Sequence, residues 1–171
     1  RPPVAFDILS INIGSAPHMH VTGAIEHVRP VKPINNFVAQ WEGLLDRLRT
    51  SSSNLNIGCV GAGAGGVEIL LAIQYRLKMD LAEVGETAEH MKFHLFTDAN
   101  DILMSHNSAV RFRFNRILVD RGIEVHKRSK VVGVTEGAIE CEGGSRFELD
   151  EILWVTPAAP AMWLKNDTKL R

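Results

Sequence analysis

The chain is poor in cysteine and tyrosine, carries no unbalanced charge, and has no long apolar run. Cys59 and Cys141 are the only cysteines among 171 residues. They lie far apart with no CxxC spacing, which excludes a local redox dithiol and a cysteine-held metal cluster. Cys59 stands inside an apolar run as a small hydrophobe. Such usage is expected of a reducing, cytoplasmic compartment. The 19 Lys and Arg are matched by 20 Asp and Glu, a net charge of -1, so no basic stripe is left to meet a nucleic acid. Arg111, Arg113 and Arg116, then Lys127 and Arg128, read as solvated helix and strand ends. No apolar stretch approaches the ~20 residues that cross a bilayer, and no signal-peptide pattern is present. With 45% hydrophobic and 23% charged residues the composition is that of a globular domain, long enough to fold without staples. The first residues are Arg1-Pro2-Pro3 rather than Met, so the chain is expected to be cut from something longer.

Periodicity then divides the chain. "FDILSINIG", Phe6 to Gly14, is apolar and β-branched and predicts a buried strand. Ser15 to Asn36, with Pro17, Pro30 and Pro33, predicts a loop or linker. Phe37, Trp41, Leu44, Leu45 and Leu48 recur at helical spacing behind an N-cap at Asn35 or Asn36. "TSSSN" breaks that pattern and marks a domain boundary. A short strand, "LNIGCVGAG", leads into a helix from about Gly65 to Met79, with Leu81 to His90 as its extension or a loop. "KFHLFTD" predicts a second strand. Val110, Phe114, Ile117 and Leu118 predict a helix capped by Ser105 or Ser108 and stopped at Gly122. Short strands follow, separated by hairpin turns at Glu136-Gly137 and Gly143-Gly144. The order β-α-β-α-β, a small meander and a returning strand predicts a parallel sheet with an antiparallel appendage. Trp41, Trp154 and Trp163 are expected in core or inter-domain packing.

Between Val60 and the first of these helices, Gly61, Gly63 and Gly66 match G-x-G-x-x-G. Alone the pattern is weak; between a strand and a helix it points to a dinucleotide loop. Gly61 permits the tight turn, Gly63 lets a diphosphate approach the backbone, and Gly66 lets helix and strand pack closely. The helix N-terminus offers free N–H groups and a partial positive charge. A phosphate-loop NTPase is excluded, because no Gly-Lys-Ser/Thr follows. A tight turn with no ligand is the bland alternative. The acidic ribose partner would be Asp98, well beyond the ~20 residues usually separating it from the first glycine. Thr97 takes the strand's last inward position, so NAD is only weakly preferred to NADP. Asp98 reads equally as a turn or cap residue. Among the histidines, His18 and His20 alternate in a loop and His106 lies near a helix start. His90 and His94 straddle a loop and a strand, which defeats helical i, i+4 ligation, and no metal site is expected.

"IGCVGAGAGGVEI", "HLFTD", "RGIEV" and "DEILWVTPAAPAMWL" together resemble the pyridine-nucleotide domain of two-dinucleotide-binding flavoproteins, the pyridine nucleotide-disulfide oxidoreductase superfamily. Within it the likeness is to the type II NADH dehydrogenase-like branch. "IGSAPHMHVTGAIEHVRPVKPINNFVAQW", Ile13 to Trp41, resembles members associated with, or fused to, selenide, water dikinase. The resemblance spans nearly the whole chain, and this segment is its more discriminating part.

The likeness implies an α/β fold: a Rossmann-like parallel sheet with helices on both faces and a small antiparallel β-meander, plus a partial FAD-domain segment. Residues 1–50 would be an FAD-domain remnant and linker, 51–157 the NAD(P)H-binding domain, and 158–171 a return toward the FAD domain. FAD would sit on a glycine loop expected before Phe6, in missing segments of the parent chain, and this piece would hold no flavin and be inactive alone. Cofactor-binding positions would be Gly61, Ala62, Gly63, Ala64, Gly65, Gly66, Glu68, Thr97, Asp98 and Thr156. Glu68 matches a family carboxylate near the nicotinamide, although a first-turn carboxylate is favoured by the helix dipole anyway. Pro157 stands where the family often has Gly, and supplies no N–H. The absence of a cysteine pair favours the quinone- or unknown-acceptor branch. Hydride transfer from nicotinamide to flavin needs no general acid or base, so no catalytic residue is assigned. A non-catalytic nucleotide-binding or docking module beside a selenide, water dikinase-like domain is the alternative. A methyltransferase is disfavoured by the glycine spacing and by the meander after Glu124.

Overall fold

The computed structural model describes residues 4–13, 16–17, 19–50, 54–85, 87–159 and 162–168. In chain order the elements are β1 (Ala16–Pro17), α1 (Ala24–His27), β2 (Arg29–Pro30), α2 (Ile34–Thr50), β3 (Leu55–Val60), α3 (Ala64–Glu83) and β4 (Met91–Phe96). They continue as α4 (Ser108–Asp120), β5 (Ile123–His126), β6 (Val131–Thr135), β7 (Ala138–Cys141), β8 (Arg146–Glu148), β9 (Glu151–Trp154), β10 (Ala158–Ala159) and α5 (Met162–Asn166). Five strands form a parallel sheet in the order β2-β9-β3-β4-β5. β6, β7 and β8 form the antiparallel meander, and β1 pairs antiparallel with β10.

The sheet is buried on both faces, so its strands read as apolar runs rather than as alternating ones. Side chains nonetheless alternate between two cores. Ile57, Cys59, Phe93, Leu95 and Leu153 face the long helices, meeting Leu45 of α2, Leu70, Ile73 and Leu77 of α3, and Leu118 of α4. Val60, Phe96, Ile152 and Trp154 face the other way, toward Ile139, Leu149 and Ala24 of the meander and α1. Full burial of such side chains contributes ~1.5–3 kcal/mol each. At the start of β9 the buried carboxylate of Glu151 accepts from Arg29 Nε at 2.7 Å and pairs with Arg47 of α2. Those partners make the burial of its charge tolerable.

Several expectations are corrected. Residues 6–13 form no strand, and Phe6, Ile8 and Leu9 are exposed. An apolar run becomes a strand only where a sheet accepts its N–H and C=O groups, and no strand among the described residues does so; Gly14 lies outside them. Ser15–Asn36 is not all loop. It holds α1 and β2, and β2 finds a parallel partner in β9. α2 begins at Ile34, which places Asn35 and Asn36 inside the helix rather than at its cap. α3 runs on to Glu83. The cap of α4 is Asn107, whose side-chain oxygen accepts from Val110 N at 3.0 Å, so neither Ser105 nor Ser108 has that role. Trp154 is buried and Trp41 packs on Phe37, as expected; Trp163, 45% exposed, lies outside the core, which leaves inter-domain packing as its expected role. The boundary expected at "TSSSN" falls on residues 51–53, outside the described residues. No helix among the described residues is long and apolar enough to cross a membrane.

Candidate functional site

β3 sits where the strand order reverses. From it the chain steps outward through α3 to β4 and through α4 to β5, then returns to β9 on the opposite side. In an open parallel sheet the crevice at the carboxyl ends of the strands beside such a reversal is the favoured ligand site. Here it is a pocket of about 560 Å³ lined by Gly61, Ala62 and Gly63 after β3, Thr97 and Asp98 after β4, and Val155 and Thr156 after β9.

The three glycines of the turn do different jobs. Gly61 has φ 112°, in the region that favours glycine, and a Cβ on it would lie 2.3 Å from the Val155 carbonyl oxygen. A Cβ on Gly66 would lie 1.8 Å from the Gly61 carbonyl oxygen. Both residues are therefore needed by the fold itself. Gly63 is extended, with φ -73° and ψ -178°, and a Cβ there would meet nothing within 4 Å. The open space at Gly63 belongs to the pocket. Gly63 also caps α3 without any side-chain cap bond, and the first amides of such a helix are groups that an anion can meet. Such a contact contributes ~0.3–1 kcal/mol, and more when sheltered.

The other expected positions divide. Thr97 is buried and braces the rim: its N–H donates to His126 O at 3.0 Å, its carbonyl accepts from Ser129 N at 2.8 Å, and its Oγ1 accepts from Ala99 N at 3.2 Å. Asp98 is exposed at the pocket mouth. Ala64 and Gly65 form the first turn of α3, while Gly66 packs inward. Glu68 is an exposed residue of α3 and is not among the lining residues.

Residues not foreseen from spacing also line the pocket. Leu103 is buried with φ 51°, unusual for a branched side chain, and its N–H donates to the Ala62 carbonyl at 2.9 Å. That bond holds the 98–107 loop against the glycine turn. Asp101, on the same loop, is held by Lys127 Nζ at 2.7 Å and Asn115 Nδ2 at 3.0 Å. These hydrogen bonds, Lys127 first, lower its carboxyl to about 2. Lys130 reaches the lining from the start of the meander. The usable signal was general: loops at the carboxyl ends of parallel strands build the site.

No family model matches the chain. It is 24% identical over 161 residues to the NADH dehydrogenase-like protein YutJ of Bacillus subtilis (strain 168), a match covering 94% of this chain and 41% of that protein. The chain thus spans about two-fifths of the length of that curated relative. Among solved structures it resembles NDH2 from Plasmodium falciparum in complex with NADH, with TM-score 0.75 and 16% identity, over 88% of this chain and 34% of that one. It also resembles the water-forming NADH oxidase from Lactobacillus brevis bound to NADH, with TM-score 0.67 and 14% identity, over 92% of this chain and 32% of that one. These likenesses establish the fold.

Proposed function

We propose that the chain is the NAD(P)H-binding domain of an FAD-dependent oxidoreductase related to the NADH dehydrogenase-like proteins. The observation that carries this reading is the open space at Gly63, between the uncapped start of α3 and the crevice. The residues present fit a dinucleotide. The amides of Gly63, Ala64 and Gly65 would face the diphosphate, Asp98 would accept from ribose hydroxyls, and Thr156 would border the nicotinamide end. Leu103 and Val155 supply apolar wall that excludes water. A bound nicotinamide supplies the hydride, and a flavin held by the rest of the parent protein would receive it. The domain's own contribution is alignment. The NADH-bound relatives support this reading. They lend no support to a docking role beside a selenide, water dikinase-like domain.

The test is a fluorescence titration of the chain with NADH and NADPH, alone and with Gly63→Val. Saturable binding of comparable strength for both nucleotides is expected, lost in the variant because the valine side chain fills the diphosphate's space. Absence of saturable binding, or unchanged affinity in Gly63→Val, would remove the glycine turn from the function.

A further inference from the structure

On the meander face of the sheet, three metal-ligating side chains converge from two neighbouring strands. β4 and β5 run parallel with His94 beside Glu124 and Phe96 beside His126. The alternation of the strands puts all four side chains on one face. His94 Nδ1 lies 3.2 Å from His126 Nε2. Glu124 Oε2 is 3.5 Å from the first nitrogen and 3.9 Å from the second. The imidazole of His126 is stacked on Phe96 at 4.5 Å between centroids and lies 4.6 Å from Phe147 of β8. Its orientation is therefore set by packing against two rings that also touch each other, 5.0 Å apart.

We propose that His94, Glu124 and His126 form a binding site for a divalent transition metal of the zinc class. With metal–ligand bonds of ~2.0–2.1 Å, two ligand atoms of a tetrahedral ion lie ~3.3 Å apart. The observed separations of 3.2, 3.5 and 3.9 Å bracket that value, so an ion seats with small movements of the ligands. Glu124 is the ligand best able to make them, being 60% exposed where His94 is 11% exposed. That carboxylate also marks the route by which a cation enters. Two imidazoles and one carboxylate suit zinc and its neighbours rather than calcium or magnesium, which require oxygen ligands. Three protein ligands leave the fourth tetrahedral position to water. Lys92, exposed on the same face of β4, opposes a cation, and the Glu124 carboxylate offsets it.

Spacing along the chain conceals this set, because its members come from different strands; the i, i+4 pair His90 and His94 draws the eye instead. The site bears on the crevice as well. The His126 carbonyl accepts from Thr97 N, so an ion clipping β5 to β4 would also steady the pocket rim.

The experiment is calorimetric titration of the metal-free full chain, with any affinity tag removed, using zinc chloride. It is repeated on Glu124→Gln and on His126→Gln. One equivalent of zinc should bind. Glu124→Gln should weaken it at least about tenfold, since even partners one shell further out commonly cost 10–100-fold. His126→Gln should abolish it. Cobalt should give the visible bands of a tetrahedral ion, lost in Glu124→Gln. Because Glu124 is exposed, its variant decides the matter even if His126→Gln fails to fold. No saturable binding at millimolar zinc would mean that the imidazoles merely hydrogen-bond to each other. Binding unchanged in Glu124→Gln would mean that zinc sits elsewhere. Either result overturns the proposal, and neither bears on nucleotide binding.

Discussion

The carbonyl oxygen of Gly61 occupies the place where a side chain on Gly66 would begin: a Cβ built there lies 1.8 Å from it. Helix α3 can approach β3 so closely only because residue 66 has no side chain. Gly66→Ala must therefore push helix and strand apart, a backbone clash that no rotamer relieves. A cost of about 1–3 kcal/mol is expected, read as a lower urea midpoint. Gly63→Val, with open space around it, should cost less than about 1 kcal/mol, mainly as a poorer N-cap. The two substitutions separate the glycine that the fold needs from the glycine whose surroundings are open.

The cap of α4 gives a second test. Asn107 accepts from Val110 N, satisfying one of the amides that a helix start leaves open. Asn107→Ala should lower stability by about 1 kcal/mol, while Ser105→Ala and Ser108→Ala should change it by less than about 0.5 kcal/mol. Urea unfolding of the three variants would check this ordering.

What was legible in the chain follows from how local each determinant is. β3, α3 and the turn between them were readable because an apolar run, the glycine spacing and an amphipathic repeat sit within one stretch of sequence. The hairpins at Gly137 and at Gly143-Gly144 were readable for the same reason. β2 was not: Arg29 and Pro30 form a strand only because β9 presents an open edge to them. The apolar residues 6–13 erred in the other direction, since hydrophobicity signals a wish for burial and not the presence of a partner. Of the lining of the candidate site, the glycine turn, Thr97, Asp98 and Thr156 were expected and the other loop residues were not. Leu103, Asp101 and Lys130 reach the crevice through loops whose paths are set by tertiary bonds, such as Leu103 N to Ala62 O.

Asp101 predicts a pH dependence. Its hydrogen bonds from Lys127 and Asn115 stabilise the ionised form and bring its carboxyl to about 2 in the fold, against ~3.9 in an unfolded chain. A lowered acid contributes stability that is complete above its unfolded value and is lost as pH falls through the folded one. Wild type should therefore exceed Asp101→Asn in stability above about pH 4. The two should draw together as pH falls toward 2. Thermal melts of both proteins across that range would show the convergence; a constant gap would mean that the carboxylate's charge is not what holds the loop.

Cys59 offers a probe of the turn itself. Its side chain is fully buried beneath α3, with Sγ 3.7 Å from the Gly66 carbonyl, and burial pushes its thiol up to about 12. The thiolate is the reactive form, so at pH 8 the native chain should resist alkylation at this position. Cys141 is buried as well, and its thiol is likewise raised by burial. Labelling then requires opening, and anything that binds only the closed form slows it by the factor 1 + [L]/Kd. Ten times Kd of NADH should slow modification of Cys59 about tenfold, whereas Gly66→Ala should hasten it by loosening the helix. Mass spectrometry of the two cysteines over time distinguishes them. Protection of Cys59 by NADH in wild type, together with its loss in Gly63→Val, would tie the nucleotide to the turn through a residue that never touches it.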